Sequence, residues 1–349
     1  MSASICAIIA LTDQIRPGTE ETLRYFREQG VEIKVISGDN PQTVSRIARQ
    51  AGLAGWDRQV DARELDTPEA IAAACEQYTV FGRVSPEQKK LLVNALKTNG
   101  HSVAMTGDGV NDIPALKSAD CSIAMAGGAE AARHAAQLTL MESDFSVMPE
   151  IVLEGRRVIN NITRAASLFL TKTLFSFFLS ILMMFLPGLY PFEPIQLTLI
   201  SSLTVGLPGF FLALEPSTER VKGSFLRTVL FRALPGGIAV ALCATLAILL
   251  TGTYGWSRET GSTLATLSAG VVGFVVLLRT CLPLNGHRAA LLAAVAAAFT
   301  LAVIIAGSIF KLVPLDGKAM TVFLLLAAAG CAIVVISGIL LQRCRKASR

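Results

Sequence analysis

Two regimes of apolar spacing divide the chain. Up to about residue 150 short apolar runs alternate with amphipathic stretches, and after 163 nearly all apolar residues fall in long uninterrupted runs. In the first regime, β-rich runs at 5–11, 31–37, 78–82, 103–105 and 122–125 predict strands, while 19–29 and 41–51 predict helices. Strand and helix alternating in this way predict a mainly parallel, Rossmann-like α/β sheet covered on both faces. In the second regime six runs stand out, at roughly 165–186, 194–214, 233–254, 264–284, 288–310 and 319–341. Each is about the 20 residues that carry a helix across a ~30 Å hydrocarbon core. Lipid offers the backbone no hydrogen-bond partner, so such runs are read as α-helices. The expected organisation is a soluble unit over 1–150, then a stalk and an all-α bundle of six transmembrane helices over 151–349.

Composition strengthens the membrane reading. The 349 residues are 52% hydrophobic and only 16% charged, which excludes an ordinary soluble protein. The net charge of +5 brings no basic stripe with interleaved aromatics, so no nucleic-acid partner is expected, and membrane lipid is. If the spans alternate, thirteen Lys and Arg flank one side and three, Arg258, Lys311 and Lys318, the other. By the positive-inside rule both termini are expected in the cytoplasm of a multi-pass plasma-membrane protein. Pro187, Gly188, Pro191 and Pro194 punctuate the first outer turn, and residues 1–11 lack the basic start of a signal peptide. Seven cysteines without a C-x-x-C pair indicate neither a disulfide framework nor a zinc site.

Parallel sheets carry their chemistry in the loops beyond the carboxyl ends of the strands. Here those loops read TDQIRP (12–17), SGDN (37–40), RVSPEQK (83–89) and TGDGVND (106–112). In the last, Gly107 and Gly109 let the backbone turn tightly while Asp108, Asn111 and Asp112 crowd oxygen acceptors together, a set suited to Mg²⁺. The same residues would also make a solvated turn in which Asp112 caps a helix over 114–117. Ser37 can donate its hydroxyl to a phosphoryl oxygen beside backbone amides at a helix start, with Pro41 in the first turn; it can equally serve as a turn or N-cap serine. Lys89, at a loop-to-helix junction, can neutralise a transferring phosphoryl group, or be one more solvated lysine.

The run TGDGVND, preceded by ISGDNPQTVSRIARQAGL and FGRVSPEQKKLLVNAL and followed by IPALKSADCSIAM, resembles the phosphorylation domain of P-type ATPases. These pumps belong to the haloacid dehalogenase superfamily and end in six membrane helices, so the resemblance covers the whole chain. It implies a haloacid dehalogenase-like fold and in-line phosphoryl transfer dominated by positioning and charge neutralisation. Asp108 would bind Mg²⁺, with Asn111 and Asp112 supporting the metal and phosphoryl site. Lys89 would hold the phosphoryl charge, and Ser37, Gly38 and Asp39 would complete the catalytic loop. Thr106, Gly107 and Gly109 would shape the cofactor-binding turn. Asp13 and Arg16 resemble the hinge from the nucleotide-binding domain, although Gln14 and Ile15 replace its usual proline.

The family's DKTGT sequence, whose aspartate accepts the phosphate, does not occur in these 349 residues, nor does a TGES actuator loop. The strand bearing DKTGT is central to the superfamily's sheet, so unpaired strand edges are expected. The resemblance therefore implies a truncated product or one half of a split pump, inactive alone. Most of the ATP site, the nucleophile and the actuator would come from a second chain. Alternatives are a non-catalytic membrane remnant or partner subunit, and a phosphatase using Asp13 as nucleophile.

The first two spans resemble the family's transport helices. Lys172 is an intramembrane lysine, a candidate pathway residue or built-in counter-ion, or else a side chain snorkelling to the boundary. Thr204 and Pro208 lie where Gly206, Pro208 and Gly209 are expected to break the second helix and free carbonyls for an ion. The stretch LTVGLPGFFLALEP resembles bacterial cation pumps assigned to calcium, so a cation is the expected cargo, calcium first, with a lipid as the alternative.

Overall fold

A computed structural model describes residues 14–186, 190–217, 219–221 and 223–347. The chain packs as two units, Met1–Val152 and Leu153–Arg349. Run 5–11, Cys6 and Asp13 lie outside the described residues, as do Pro187 and Gly188.

In the first unit, helices α1 (Thr19–Glu28), α2 (Pro41–Gln50), α3 (Pro68–Gln77), α4 (Pro86–Thr98), α5 (Ile113–Ser118) and α6 (Glu130–Ala135) alternate with short strands. The strands are β1 (Val35–Ile36), β2 (Gln59–Asp61), β3 (Val80–Gly82), β4 (Ala104–Gly107), β5 (Cys121–Met125) and β6 (Leu138–Leu140). Three helices begin in the same way, with a capping side chain followed by proline. The Asn40 side chain accepts from the Gln42 amide before Pro41, Thr67 from Ala70 before Pro68, and Ser85 forms a reciprocal box with Gln88 before Pro86. Each cap satisfies an amide the helix leaves unpaired, worth about 1 kcal/mol.

All pairings are parallel, yet the described strands make two sheets, ordered β1-β3-β2 and β4-β5-β6, where the sequence predicts one. Val80 lies opposite both Val35 and Gln59, and Ile123 opposite Thr106 and Leu138. No described strand joins β1 to β4, which stand at the edges of the two described sheets. The central strand β3 is buried throughout, as a continuous apolar run must be between two layers. β1 occupies only two residues of run 31–37, and β2 and β6 were not anticipated. Three-residue strands as polar as Gln59-Val60-Asp61 carry too little alternation to be read, and pairing alone defines them.

Two helices lace the sheets together. On α4, Leu92 packs with Val60, Ile71 and Phe81 of the first core, and Val93 packs with Met105, Ala115 and Leu116 of the second. On α1, Leu23 lies against Val44 and Val80, and Phe26 against Ile123, Leu140 and Met148.

Among the described residues of the second unit there are six helical spans long and apolar enough to cross a membrane. α7 (Met148–Phe185) supplies the first. The second runs through α8 (Pro194–Ser201), a π-helical turn over Ser202–Gly206 and α9 (Leu207–Ala213). α10 (Phe225–Tyr254), α11 (Arg258–Thr280), α12 (Gly286–Ile305) and α13 (Gly317–Ala347) follow. The break expected at Gly206, Pro208 and Gly209 is thus a local widening of a continuous helix, with Pro208 tolerated in the first turn of α9. α7 starts well before 165 because its leading turns are amphipathic, which hydropathy alone misses. α10, α11 and α13 approach closely through small residues: a methyl group on Gly330 would come within 2.5 Å of Val272 Cγ2. Tyr190 packs on Phe192, and Tyr254 stacks on Trp256 at 4.7 Å, aromatic pairs suited to a membrane interface. Cys75, Cys243 and Cys281 are buried free thiols.

Candidate active site

β4 ends at Gly107, and a tight turn over Val110–Asp112 leads into α5. Asp112 is buried and its side chain does not cap α5. Its Oδ1 accepts from Lys89 Nζ at 2.7 Å and its Oδ2 from the Gly109 amide at 3.2 Å. Only a hydrogen fits on Gly107, because a Cβ there would sit 2.6 Å from Asp112 Cβ. The Asp108 carbonyl accepts from the Ala129 amide at 2.7 Å. A Cβ on Gly128 would lie 2.5 Å from that carbonyl oxygen, so this glycine, which the sequence reading missed, holds a second turn against the loop. Asp108 and Asn111 themselves are exposed, and Thr106 is half-buried on β4.

Ser37 follows β1 and forms a local turn: its Oγ accepts from the Asp39 amide and donates to Asp39 Oδ2, both at 3.1 Å. Asn40, not Ser37, caps α2. The Ser37 and Asp39 carbonyls accept from the Val84 and Arg83 amides at 3.0 and 2.8 Å. Arg83 takes a left-handed φ of 54° to do this, and Gly82 is required because a Cβ there would lie 2.4 Å from Pro41 N. Arg83 Nη1 also pairs with Asp61 Oδ2 at 2.7 Å, and Arg63 Nη2 with the same oxygen at 2.9 Å. The Arg63 fork holds the Asp61 carboxyl well below the usual range against the cost of burial, and Arg83 adds to it. Gly38 faces open space. Beside this loop lies a largely apolar cavity of about 350 Å³, lined by Ser37, Asp39, Leu23, Val35, Val44 and Ile47 among others.

Lys89 and Asp112 are therefore in direct contact, with Asp108 in the same loop. The turn over Ser37, Gly38 and Asp39 reaches them through its bonds to Arg83 and Val84, just before α4. Among the described residues no hydrogen bond joins Ser37 to Lys89 or Asp112. Nor do any three His, Cys, Asp or Glu side chains there form a group able to hold a metal. Magnesium needs only one or two carboxylates and fills its octahedron with water and phosphate oxygens. An exposed Asp108 beside a tied-down Asp112 fits that demand.

In the second unit Lys172 and Thr171 of α7, Thr204 of the π-helical turn and Gly273 of α11 line a cavity of about 20 Å³, room for about one water. Thr204 Oγ1 donates to the Ile200 carbonyl at 2.7 Å. Pro208 is buried but does not line this cavity. In the first unit Arg16 donates to the Ser143 carbonyl.

The sequence profile of haloacid dehalogenase-like hydrolases matches residues 1–120. The chain is 45% identical over 294 residues to a probable cation-transporting ATPase, exp7, of Streptococcus pneumoniae, covering 82% of this chain and 38% of that protein. It is 40% identical over 351 residues to the calcium-transporting ATPase CtpE of Mycolicibacterium smegmatis, covering 95% and 44%. With a calcium-transporting ATPase of Bacillus subtilis the identity is 30% over 260 residues, covering 71% and 29%. The chain thus spans less than half the length of these relatives. Because the profile falls on the parallel-sheet unit and the similarity to CtpE continues through the helical unit, the chain belongs to the P-type ATPases and corresponds to their C-terminal part.

Proposed function

We propose that this chain carries the magnesium and phosphoryl-binding half of a cation-transporting P-type ATPase together with six of its membrane spans, in a pump that couples ATP hydrolysis through an aspartyl-phosphate to transport. The observation that carries the reading is the 2.7 Å contact of Lys89 with Asp112 beside the exposed Asp108. The buried Asp112 side chain holds the Lys89 amine at the mouth of β4, where a phosphoryl oxygen can replace it as partner. Asp108, with Asn111 nearby, would hold Mg²⁺, which when bound neutralises charge on phosphate oxygens. The Ser37 hydroxyl exchanges its Asp39 acceptor for a phosphoryl oxygen, and the exposed Gly38 leaves room for that approach. Thr106, Gly107 and Gly109 shape the turn.

The nucleophilic aspartate, the actuator and most of the ATP site are supplied by a second chain or by a longer form, for which the greater length of the relatives leaves room. The surplus of Lys and Arg on one flank of the spans supports cytoplasmic termini in the plasma membrane. The cargo is a cation, and the two calcium-transporting relatives favour calcium. Lys172 and Thr204, sharing one small cavity, are the pathway residues; Pro208 acts by shaping the helix that follows the π turn.

Labelling with γ-³²P-ATP tests the reading. The chain alone takes up no acid-stable label; produced together with the upstream part of a relative, it does, in the presence of Mg²⁺. Asp108→Asn and Lys89→Ala each reduce that label by about 10²-fold or more. Label on the chain alone, or full labelling of both variants, overturns the proposal.

A further inference from the structure

At the end of the bundle where α9 and α11 finish and α12 begins, one carboxylate gathers several helices. Glu215 lies two residues beyond α9, with its side chain 9% exposed, and the side chains of Arg164 on α7 and Arg288 on α12 are each 6% exposed. Arg288 Nε donates to both carboxylate oxygens, at 2.9 and 2.8 Å. Arg164 Nη1 adds a bond of 3.2 Å, and Asn285 Nδ2 one of 2.6 Å. Arg288 Nη1 also donates to the carbonyls of Cys281 and Pro283 at 3.1 and 2.5 Å, where α11 ends. One turn before Arg164, Asn161 Nδ2 donates to the carbonyls of Ala213 and Glu215 at 3.0 and 2.7 Å, where α9 ends. Carbonyls that helix termini leave unpaired are thus satisfied from neighbouring helices. Two buried arginines share one carboxylate, so loss of its charge removes the direct ion pair of both.

α7 and the second span meet again at the small cavity, which Lys172 of α7 and Thr204 of the π-helical turn both line. Between the two meeting points lies α9, Leu207–Ala213. The π-helical turn breaks the regular hydrogen-bond ladder of this span, as such turns often do at functional sites, and it carries Thr204. Motion of α7 therefore has a route to Thr204 that begins at Glu215.

We propose that Glu215 is a positioning residue for transport: it clamps the middle of α7 to the ends of α9 and α11 and the start of α12 in one joint, so that displacement of α7 turns α9 about the π-helical turn and moves Thr204. The joint stands on the contacts above; its part in transport rests on the function proposed in the preceding section.

The first test uses the full chain in lipid nanodiscs. N-ethylmaleimide labelling is followed by mass spectrometry at Cys281, which is buried behind Arg288, and at Cys243, whose thiol bonds the Leu326 carbonyl between α10 and α13. Glu215→Gln keeps the shape of the side chain and removes its charge. Labelling at Cys281 accelerates by about tenfold or more while Cys243 keeps its rate, the sign of local opening rather than unfolding. Any other pattern, including equal acceleration at both thiols, overturns the joint. The second test places the substitution in the chain completed by upstream sequence and reconstituted in vesicles. Cations moved per ATP fall by about fivefold or more, while phosphoenzyme per folded molecule stays within about twofold. Unchanged coupling overturns the positioning role. Absence of cation-dependent phosphoenzyme in the unsubstituted protein overturns the transport reading and the positioning role with it, leaving the labelling result to decide the joint.

Discussion

Gly107 leaves Asp112 no room for a neighbour larger than hydrogen, so a single methyl group tests how tightly the candidate site is held. Gly107→Ala pushes Asp112 away from Lys89, costs about 1–3 kcal/mol of stability in the first unit, and abolishes phosphoenzyme in the completed protein. A variant that retains label would show that the 2.7 Å contact tolerates displacement. At this scale the sequence was informative where chemistry is local: Asp108, Asn111 and Asp112 share one loop, and Lys89 stands beside a Ser-Pro helix start. It was silent where partners are remote. Nothing in the sequence joins Glu215 to Arg164 and Arg288, which are 51 and 73 residues away. Asp61 and Arg83 likewise meet only because β2 and β3 pair.

Spans are counted more easily than they are bounded. Six apolar runs give six spans because hydrophobic length is a property of the segment itself. The ends differ because α7 and α10 begin in amphipathic turns, and the π-helical turn has no compositional mark beyond its neighbouring glycine and proline. Contacts between spans depend instead on a few small side chains. A Cβ on Gly236 of α10 would meet Val276 Cγ2 at 2.6 Å and Thr171 Cγ2 at 2.9 Å, against α11 and α7. Gly236→Leu forces these helices apart and costs about 1–3 kcal/mol, read as a lower unfolding midpoint in detergent. Gly252→Leu, on the same helix but with open space around it, leaves the midpoint unchanged.

For the molecule as a whole, acid is the more informative stress. Asn99 and then His101 hold Glu76 below the ordinary carboxylate range, the Val103 amide and Lys97 do so for Asp120, Ser146 for Asp144, and Arg63 for Asp61. A carboxylate that ionises more readily when folded adds stability above its unfolded pKa of about 4 and loses it as pH falls through the folded value. The urea midpoint of the first unit, followed by Trp56 fluorescence in a Trp256→Phe background, therefore holds from pH 7 to about 4 and drops below it. A fall already complete at pH 5 would assign the acid response to other groups. The fold class was legible because parallel order follows from alternating elements; the division into two sheets was not, since it depends on which strands find a partner.

That division gives the lacing helices a second meaning. Lys89 stands on α4, one turn before the Leu92-Val93 pair that grips both cores, and Asp112 follows β4 of the second sheet. The ammonium thus stands on the helix that bridges the two cores, and its carboxylate on the loop that follows β4 of the second sheet. In the function proposed above, a shift of α4 against the loop after β4 would break the 2.7 Å contact while every strand stayed paired, so the site could be silenced without unfolding.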